Sequence, residues 1–406
     1  MKIRYYGHVG QRTGYGKAAN AFCLALHRAG AELDIRPLAP AAQVSLAGAS
    51  LPLARFLRKD NELLVNPHAI IVHTLPLDCK RVLEIAQQQC TSPGHDLYGA
   101  QTVAYTTWEA LAAPEEVTSG LAEFDAVWSP SSSSLRGLSY VPKDATPPDG
   151  SAPHGPEYRV LPHCFDEESL GARLDRQEDK GDRAFTFYYV GAWSGRKNIG
   201  GVIKAYTHTF KAGERVRLML SCAGVTDRQF MAAIHATGIP QSEIPRIEFN
   251  NRYVTDEEMI AFHRDEVDCF VSASRGEAWN LPAFEAMLAG RHIIAPFGQG
   301  SDDYLASNGG TTADLYPAAY TPAELDVAIT PGPKDRPEMY GLAVGGVQGL
   351  TSRCLWHEPD LMSLSSFMRS SFEQPSRCIT CFYNPIERYG YAAVAKQALG
   401  YLEGLK

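Results

Sequence analysis

Short apolar runs alternate with amphipathic stretches along most of this chain, and they do so in two separate series. A short apolar run bounded by turn residues reads as a buried strand, and apolar residues three and four apart read as a helix. In the first series, residues 3–6, 33–38, 69–73, 102–105, 126–129 and 158–161 read as strands, and residues 17–29, 79–88 and 114–122 as helices. In the second, strands are expected at 185–190, 216–222, 246–249, 267–272 and 292–296, and helices at 199–210, 228–237, 256–263 and 281–289. Strands separated by helices cannot pair as hairpins. They pair in parallel through crossovers, which predicts an α/β protein with two doubly wound parallel sheets.

A length of 406 residues suits two domains. The expected division is 1–166, 167–385, and a terminal segment 386–406. The polar run 167–183 reads as a hinge linker, 143–157 as an exposed loop, and 385–405 as one long amphipathic helix. The Pro-rich stretch 316–340 suggests no element.

Hydrophobic residues make up 45% of the chain and charged residues 21%, as in a globular protein with sizeable cores. A net charge of −8 argues against a broad nucleic-acid surface, which needs clustered cations. The nine cysteines are scattered, and Cys222 and Cys269 lie in strand patterns as small apolar residues. A reducing, cytoplasmic setting is expected. The first residues lack the apolar core of a signal peptide, and no transmembrane segment is expected.

Glu277 and Glu285 are the candidate site residues with the most telling context. Glu277 follows an expected strand, and Glu285 lies about one turn inside the helix that opens at Leu281. Asn280 is suited to the N-cap, and Pro282 falls in the first turn, where a missing N–H costs nothing. Both carboxylates can face the crevice at the carboxyl end of a parallel sheet, beside free helix N–H groups. A carboxylate accepts two hydrogen bonds from a sugar diol, and a helix N-terminus holds a phosphate. Together they suit a nucleotide sugar. The competing reading makes Glu277 a solvated loop residue and Glu285 a plain helix-face carboxylate.

Arg196 and Lys197 stand in the turn between the first strand and first helix of the second series. Cations there oppose the helix dipole, which makes a purely solvated role awkward and a diphosphate-holding role natural. In the turn after the first strand, Gly14 and Gly16 permit close backbone approach to a donor. The spacing matches neither a dinucleotide fingerprint nor a P-loop, and a plain Gly-rich turn fits equally. His73 ends a buried strand, and Trp108-Glu109 follows another. His73 is placed to meet an acceptor hydroxyl or the transferred sugar, with a satisfied core histidine as the alternative. Glu109 either orients the acceptor or serves a local loop contact. Cys354-x2-His357 followed by Cys378-x2-Cys381 has the spacing of a structural zinc site, although core positions explain most of these residues.

These motifs together resemble glycosyltransferase family 4, retaining enzymes of the GT-B fold. Residues 277–290 are similar to that family's E-x7-E segment, and 190–198 to its diphosphate-binding loop. The stretch Val160-Leu161-Pro162-His163-Cys164-Phe165-Asp166 resembles its interdomain segment, and Trp356-His357-Glu358-Pro359-Asp360 its C-terminal W-x-E-P-D pattern. The resemblance implies two Rossmann-like domains and a final helix crossing back to the first. It implies that Glu285 binds the ribose, Glu277 lies near the sugar, Asn280 and Leu281 offer N–H groups to the phosphates, and Tyr253 and Val254 border the base. Where many members carry Arg after the glycine matching Gly191, this chain has Ala192.

The expected activity is transfer of a hexosyl unit from a UDP- or GDP-sugar to an acceptor hydroxyl, with retention and without a metal or other cofactor. The acceptor classes left open are a saccharide, a lipid-linked saccharide, a small molecule and, ranked last, a nucleic-acid base. The alternatives are a nucleotide-sugar epimerase of the same fold, a phosphorylase, and a two-lobed protein that binds the donor without turnover.

Overall fold

A computed structural model describes residues 1–57, 66–89, 99–139, 155–174, 183–222, 224–252, 254–305, 313–316, 318–322, 327–328, 344–345, 355–374 and 385–405. The chain divides into two compact units. One is built on Met1–Glu167 and the terminal segment from Pro385, the other on Glu168–Pro322 and the segment from Leu355.

The first unit holds β1 (Lys2–Gly7), β2 (Glu32–Pro37), β3 (Ala69–His73), β4 (Gln101–Tyr105), β5 (Ala126–Ser129) and β6 (Glu157–Val160). They form one parallel sheet in the order β2-β1-β3-β4-β5-β6. Alternation along each strand divides the core. Ile3, Tyr5, Ile71, Val103, Tyr105 and Trp128 pack on one face, and Tyr6, Ile70, Val72, Ala104 and Val127 on the other. Helix α1 (Gly14–Arg28) covers the first face; α2 (Pro76–Gln88) and α3 (Glu115–Leu121) cover the second. The short α4 (Ser132–Leu138), which the apolar periodicity does not announce, starts at Ser131, whose hydroxyl accepts from the Ser134 N–H.

The terminal segment forms two helices, Ile386–Tyr389 and Tyr391–Gly404, where one was expected. The break falls at Gly390, where a Cβ would meet the Ile386 carbonyl at 2.7 Å. Glu167 accepts from the N–H groups of Tyr391 and Ala392 at 2.8 and 3.3 Å, satisfying the exposed start of the second helix. Val394, Ala395, Ala398 and Leu402 then join the α1 face of the first unit's core. The expected hinge linker also carries structure, a 3-10 turn at Glu167–Ser169 and helix α5 at Leu170–Leu174.

The second unit holds β7 (Phe185–Val190), β8 (Val216–Ser221), β9 (Ile247–Asn250), β10 (Cys269–Val271), β11 (His292–Pro296) and β12 (Ala313–Tyr316). Its sheet is also parallel, in the order β12-β11-β10-β7-β8-β9. The helices are α6 (Ile199–Thr209), α7 (Asp227–His235), α8 (Asp256–Ala261), α9 (Leu281–Leu288) and α10 (Asp302–Leu305), with Leu361–Glu373 packed against α6. Within the Pro-rich stretch, Ala318–Pro322 forms a strand that pairs antiparallel with Leu355–Pro359. The expected loop 143–157 lies largely outside the described residues.

Each sheet has a point where the strand order reverses, between β1 and β3 in the first unit and between β7 and β10 in the second. In open α/β sheets, the crevice beyond the carboxyl ends of such strands is where ligands bind.

Candidate functional site

The turn after β7 and the turn after β10 meet at the second unit's reversal point. Lys197 Nζ donates to both carboxylate oxygens of Glu277, at 2.6 and 2.8 Å, and Arg196 Nη1 lies 3.5 Å from Oε2. Arg196 also donates to the Gly276 carbonyl. Glu277 is 6% exposed. Burial opposes its ionisation, but Lys197 and Arg196 outweigh that and hold its carboxyl below the usual range. Glu277 is therefore the counter-ion of the two cations.

Backbone contacts lock these turns together. Arg275 N–H donates to the Arg196 carbonyl at 2.7 Å, and the Arg275 guanidinium donates to the Gly195 carbonyl at 2.6 Å. Arg275 is anchored in turn by Glu358, at 2.7 and 3.1 Å. The loop after β11 joins them, with Gly300 N–H donating to the Glu277 carbonyl at 2.8 Å and Gln299 Nε2 to the Ser274 carbonyl at 2.7 Å. Gly191 must lack a side chain, since a Cβ would meet the Tyr189 hydroxyl at 2.6 Å.

Asn198 and Asn280 precede α6 and α9, both in the left-handed region with φ of 48° and 65°. Asn tolerates that conformation better than other side-chain-bearing residues. Asn198 caps its helix by accepting from Gly201 N–H. Asn280 occupies the expected N-cap position of α9, although its side chain makes no cap bond. Its left-handed backbone rather than its amide sets the turn. Tyr304 on α10 donates its hydroxyl to the carbonyls of Trp279 and Asn280, at 2.9 and 3.0 Å, and so fixes the entry to the helix at Leu281. Glu285, 7% exposed, lies one turn further in, with Oε2 3.8 Å from Nε2 of His263.

Val254 is half-buried before α8, and Tyr253 lies outside the described residues. Of the proposed zinc ligands, Cys354, Cys378 and Cys381 lie outside them too. His357 is buried, its ring filling the space beside Gly298, where a Cβ would meet it at 2.7 Å. Among the described residues, no group of three or more His, Cys, Asp or Glu side chains is arranged to hold a metal ion.

The first unit's reversal point carries a second cluster. His73 is buried, with Nδ1 2.5 Å from the Tyr5 hydroxyl and its ring stacked on Tyr105 at 4.2 Å. Among the described residues its Nε2 has no hydrogen-bond partner. Burial, then His163 and His8, push its pKa well below the ordinary value, so the imidazole is neutral. Tyr15, between Gly14 and Gly16, stands 5.7 Å from His73 and is close enough to Glu109 to feel its charge. The glycines have local reasons. Gly14 opens α1, whose cap Thr13 accepts from Gly16 N–H, and a Cβ on Gly16 would meet the Gln11 carbonyl at 2.1 Å.

The sequence reading missed His8, Tyr15, His163, His263, Ser274, Gln299 and Tyr304 as parts of these clusters. The available signal was position alone, since each stands at or just beyond an element's end.

No protein-family model matches the chain, and a search of curated proteins finds no significant match. Solved structures do match over its whole length. Anabaena Alr3699/HepE in complex with UDP and glucose is 14% identical with a TM-score of 0.62, each chain covered completely. Sucrose-phosphate synthase from Thermosynechococcus elongatus is 15% identical with a TM-score of 0.61, over 100% of this chain and 99% of that one. The lipopolysaccharide outer core galactosyltransferase WaaB, apo form, is 13% identical with a TM-score of 0.58, over 99% of both. The likeness shows the fold, the two-sheet α/β GT-B architecture of glycosyltransferases.

Proposed function

We propose that the chain is a retaining glycosyltransferase of family 4 that moves a hexosyl unit from a nucleoside diphosphate sugar to an acceptor hydroxyl without a metal. The observation that carries this reading is the convergence of Arg196, Lys197 and Glu277 between β7 and β10, with Glu285 one turn into α9. The bound UDP of the HepE structure and the galactosyltransferase name of WaaB support a nucleotide-sugar donor, UDP-linked in the first instance.

The diphosphate lies against Arg196, Lys197 and the N–H groups at Asn280 and Leu281. Glu285 accepts the ribose hydroxyls, and Val254 borders the base. As the glycosidic bond breaks, its electron pair passes to the departing phosphate oxygen. Arg196 and Lys197 stabilise that charge, a term worth about 3–4 kcal/mol for each donor lost. Glu277 holds Lys197 and Arg196 in place, so their positive charge is preorganised and no divalent cation is needed. The acceptor hydroxyl attacks the anomeric carbon on the leaving group's face, and its proton passes to a donor phosphate oxygen. His73, with a neutral ring, meets the acceptor or the transferred sugar, beside Glu109 and the Gly14–Gly16 turn. The acceptor is a saccharide, a lipid-linked saccharide or a small molecule.

The test is incubation with UDP-, GDP- and ADP-hexoses, followed by chromatography. The reading predicts ligand-linked thermal stabilisation by one nucleotide class and slow release of free hexose and nucleoside diphosphate without acceptor. Release of an epimerised sugar would favour an epimerase, and binding without turnover a non-catalytic protein.

A further inference from the structure

His263 stands immediately after α8, in a π turn spanning Phe262–Glu266. Such a turn widens the helix by one residue and re-aims what it carries, and it occurs often at functional sites. Here it carries a histidine that is 1% exposed. Its Nδ1 is 2.6 Å from the hydroxyl of Tyr188 on β7, and its ring meets the Tyr188 ring edge-on at 5.3 Å. Its Nε2 faces Oε2 of Glu285 at 3.8 Å. Tyr188, His263 and Glu285 thus form a buried line from the sheet to α9.

The direction of this line follows from its two ends. Burial keeps the Tyr188 phenol protonated far above neutral pH. A protonated phenol can donate to an imidazole nitrogen or accept from one, and the carboxylate oxygen 3.8 Å from Nε2 favours the tautomer with its proton on Nε2, which leaves Nδ1 to accept from Tyr188. The opposite tautomer would set a bare ring nitrogen against a carboxylate oxygen. Tyr188 and Glu285 together therefore select the tautomer whose N–H points at Glu285.

We propose that His263 is a positioning residue for nucleotide recognition, orienting the Glu285 carboxylate so that the site distinguishes ribose from 2′-deoxyribose. This rests on the reading of Glu285 as the ribose ligand. A carboxylate that swings between rotamers meets one hydroxyl at a time. A carboxylate steadied on Oε2 presents one geometry to a diol, and its affinity then depends on both hydroxyls. The contact of 3.8 Å is longer than a hydrogen bond, so it acts on orientation rather than by capturing the acceptor oxygen.

The experiment is calorimetric titration of UDP, GDP and ADP, and of their 2′-deoxy forms, into wild type, His263→Leu, His263→Gln, Tyr188→Phe and Glu285→Gln. The expected result is an affinity for the ribonucleotide about tenfold weaker in His263→Leu, the order of one hydrogen bond to a charged group. The 2′-deoxy form changes little, so the ratio of the two collapses. His263→Gln keeps most of the ratio, because its amide N–H replaces the Nε2–H, which a merely structural role would not predict. A wild-type ratio in His263→Leu beside a lost ratio in Glu285→Gln overturns the proposal and leaves the ribose reading standing. A wild-type ratio in Glu285→Gln overturns the ribose reading, and the proposal falls with it. If His263→Leu does not fold, Tyr188→Phe, which removes a single oxygen, decides. A reduced ratio supports the proposal and an unchanged one overturns it.

Discussion

Lys197 grips Glu277 through both carboxylate oxygens, at 2.6 and 2.8 Å, across 80 residues of sequence. A buried pair loses most when one member is removed, because the other is left charged without compensation. Lys197→Met leaves Arg196, 3.5 Å away, as the remaining counter-charge of Glu277, and is therefore expected to destabilise the protein by about 1–3 kcal/mol, less than a wholly unpaired charge would cost. The double substitution Lys197→Met with Glu277→Gln is expected to recover most of that stability and none of the turnover. Urea denaturation and donor-release assays on the single and double variants check this; equal stability of Lys197→Met and wild type would contradict it.

Stability should fall in two stages on acidification. His8, His73 and His163 have folded pKa values depressed below 6.5 by burial, His163 to about 3. The unfolded chain then binds protons that the folded one refuses, so stability declines as pH drops below about 6.5, by up to about 1.4 kcal/mol per pH unit for each group. Glu277 behaves differently, because its folded pKa lies below 4.5. Its contribution is present above that pH and is lost only as pH falls through the lower, folded value. Thermal unfolding midpoints from about pH 8 to about pH 2 should decline from the histidine range onward and again through the Glu277 range, and His163→Gln should flatten the first stage.

His73 and the donor cations sit in different units, so their effects should separate. His73→Ala is expected to lower turnover by roughly tenfold, the order of one lost hydrogen bond, while leaving nucleoside diphosphate affinity unchanged. Steady-state kinetics beside calorimetry measure both. A matching loss in affinity would place His73 on the donor.

Gly16→Ala should cost about 1–3 kcal/mol, because the new methyl meets a backbone carbonyl that cannot yield. Gly200→Ala in α6, where nothing stands within 4 Å, should be neutral or stabilising. Thermal denaturation of the two variants gives the comparison.

Much of the architecture was legible because burial enforces it locally. Each expected strand from Ile3 to Pro296 overlaps an observed one; the fully buried β3, β10 and β11 read as nearly continuous apolar runs, whereas the edge strands β6 and β9 carry polar residues and are only partly buried. The element ends were set by features that periodicity does not carry. The break falls where Gly390 turns extended, with ψ of 155°, and α4 is announced only by its Ser131 cap. Arg196, Lys197 and Glu277 were visible in strand-to-helix turns and Glu285 one turn into the helix that follows, but the ion pair was not. That pairing needs β10 to lie beside β7 rather than beyond β9, a choice made by the whole sheet. His263 was hidden for a similar reason. It stands in the π turn after α8, and its partners Tyr188 and Glu285 lie on β7 and α9, so their meeting is set by the packed unit and not by local sequence.

The central claim is that the carboxyl end of the second unit's sheet holds a nucleoside diphosphate through Glu285. Its most direct test is calorimetric titration of UDP, GDP and ADP into wild type and Glu285→Ala, with unfolding midpoints measured in parallel. The account predicts saturable binding of at least one of the three by wild type, an affinity weakened at least about tenfold in the variant, and closely similar midpoints. Undiminished affinity in a folded Glu285→Ala variant would contradict it.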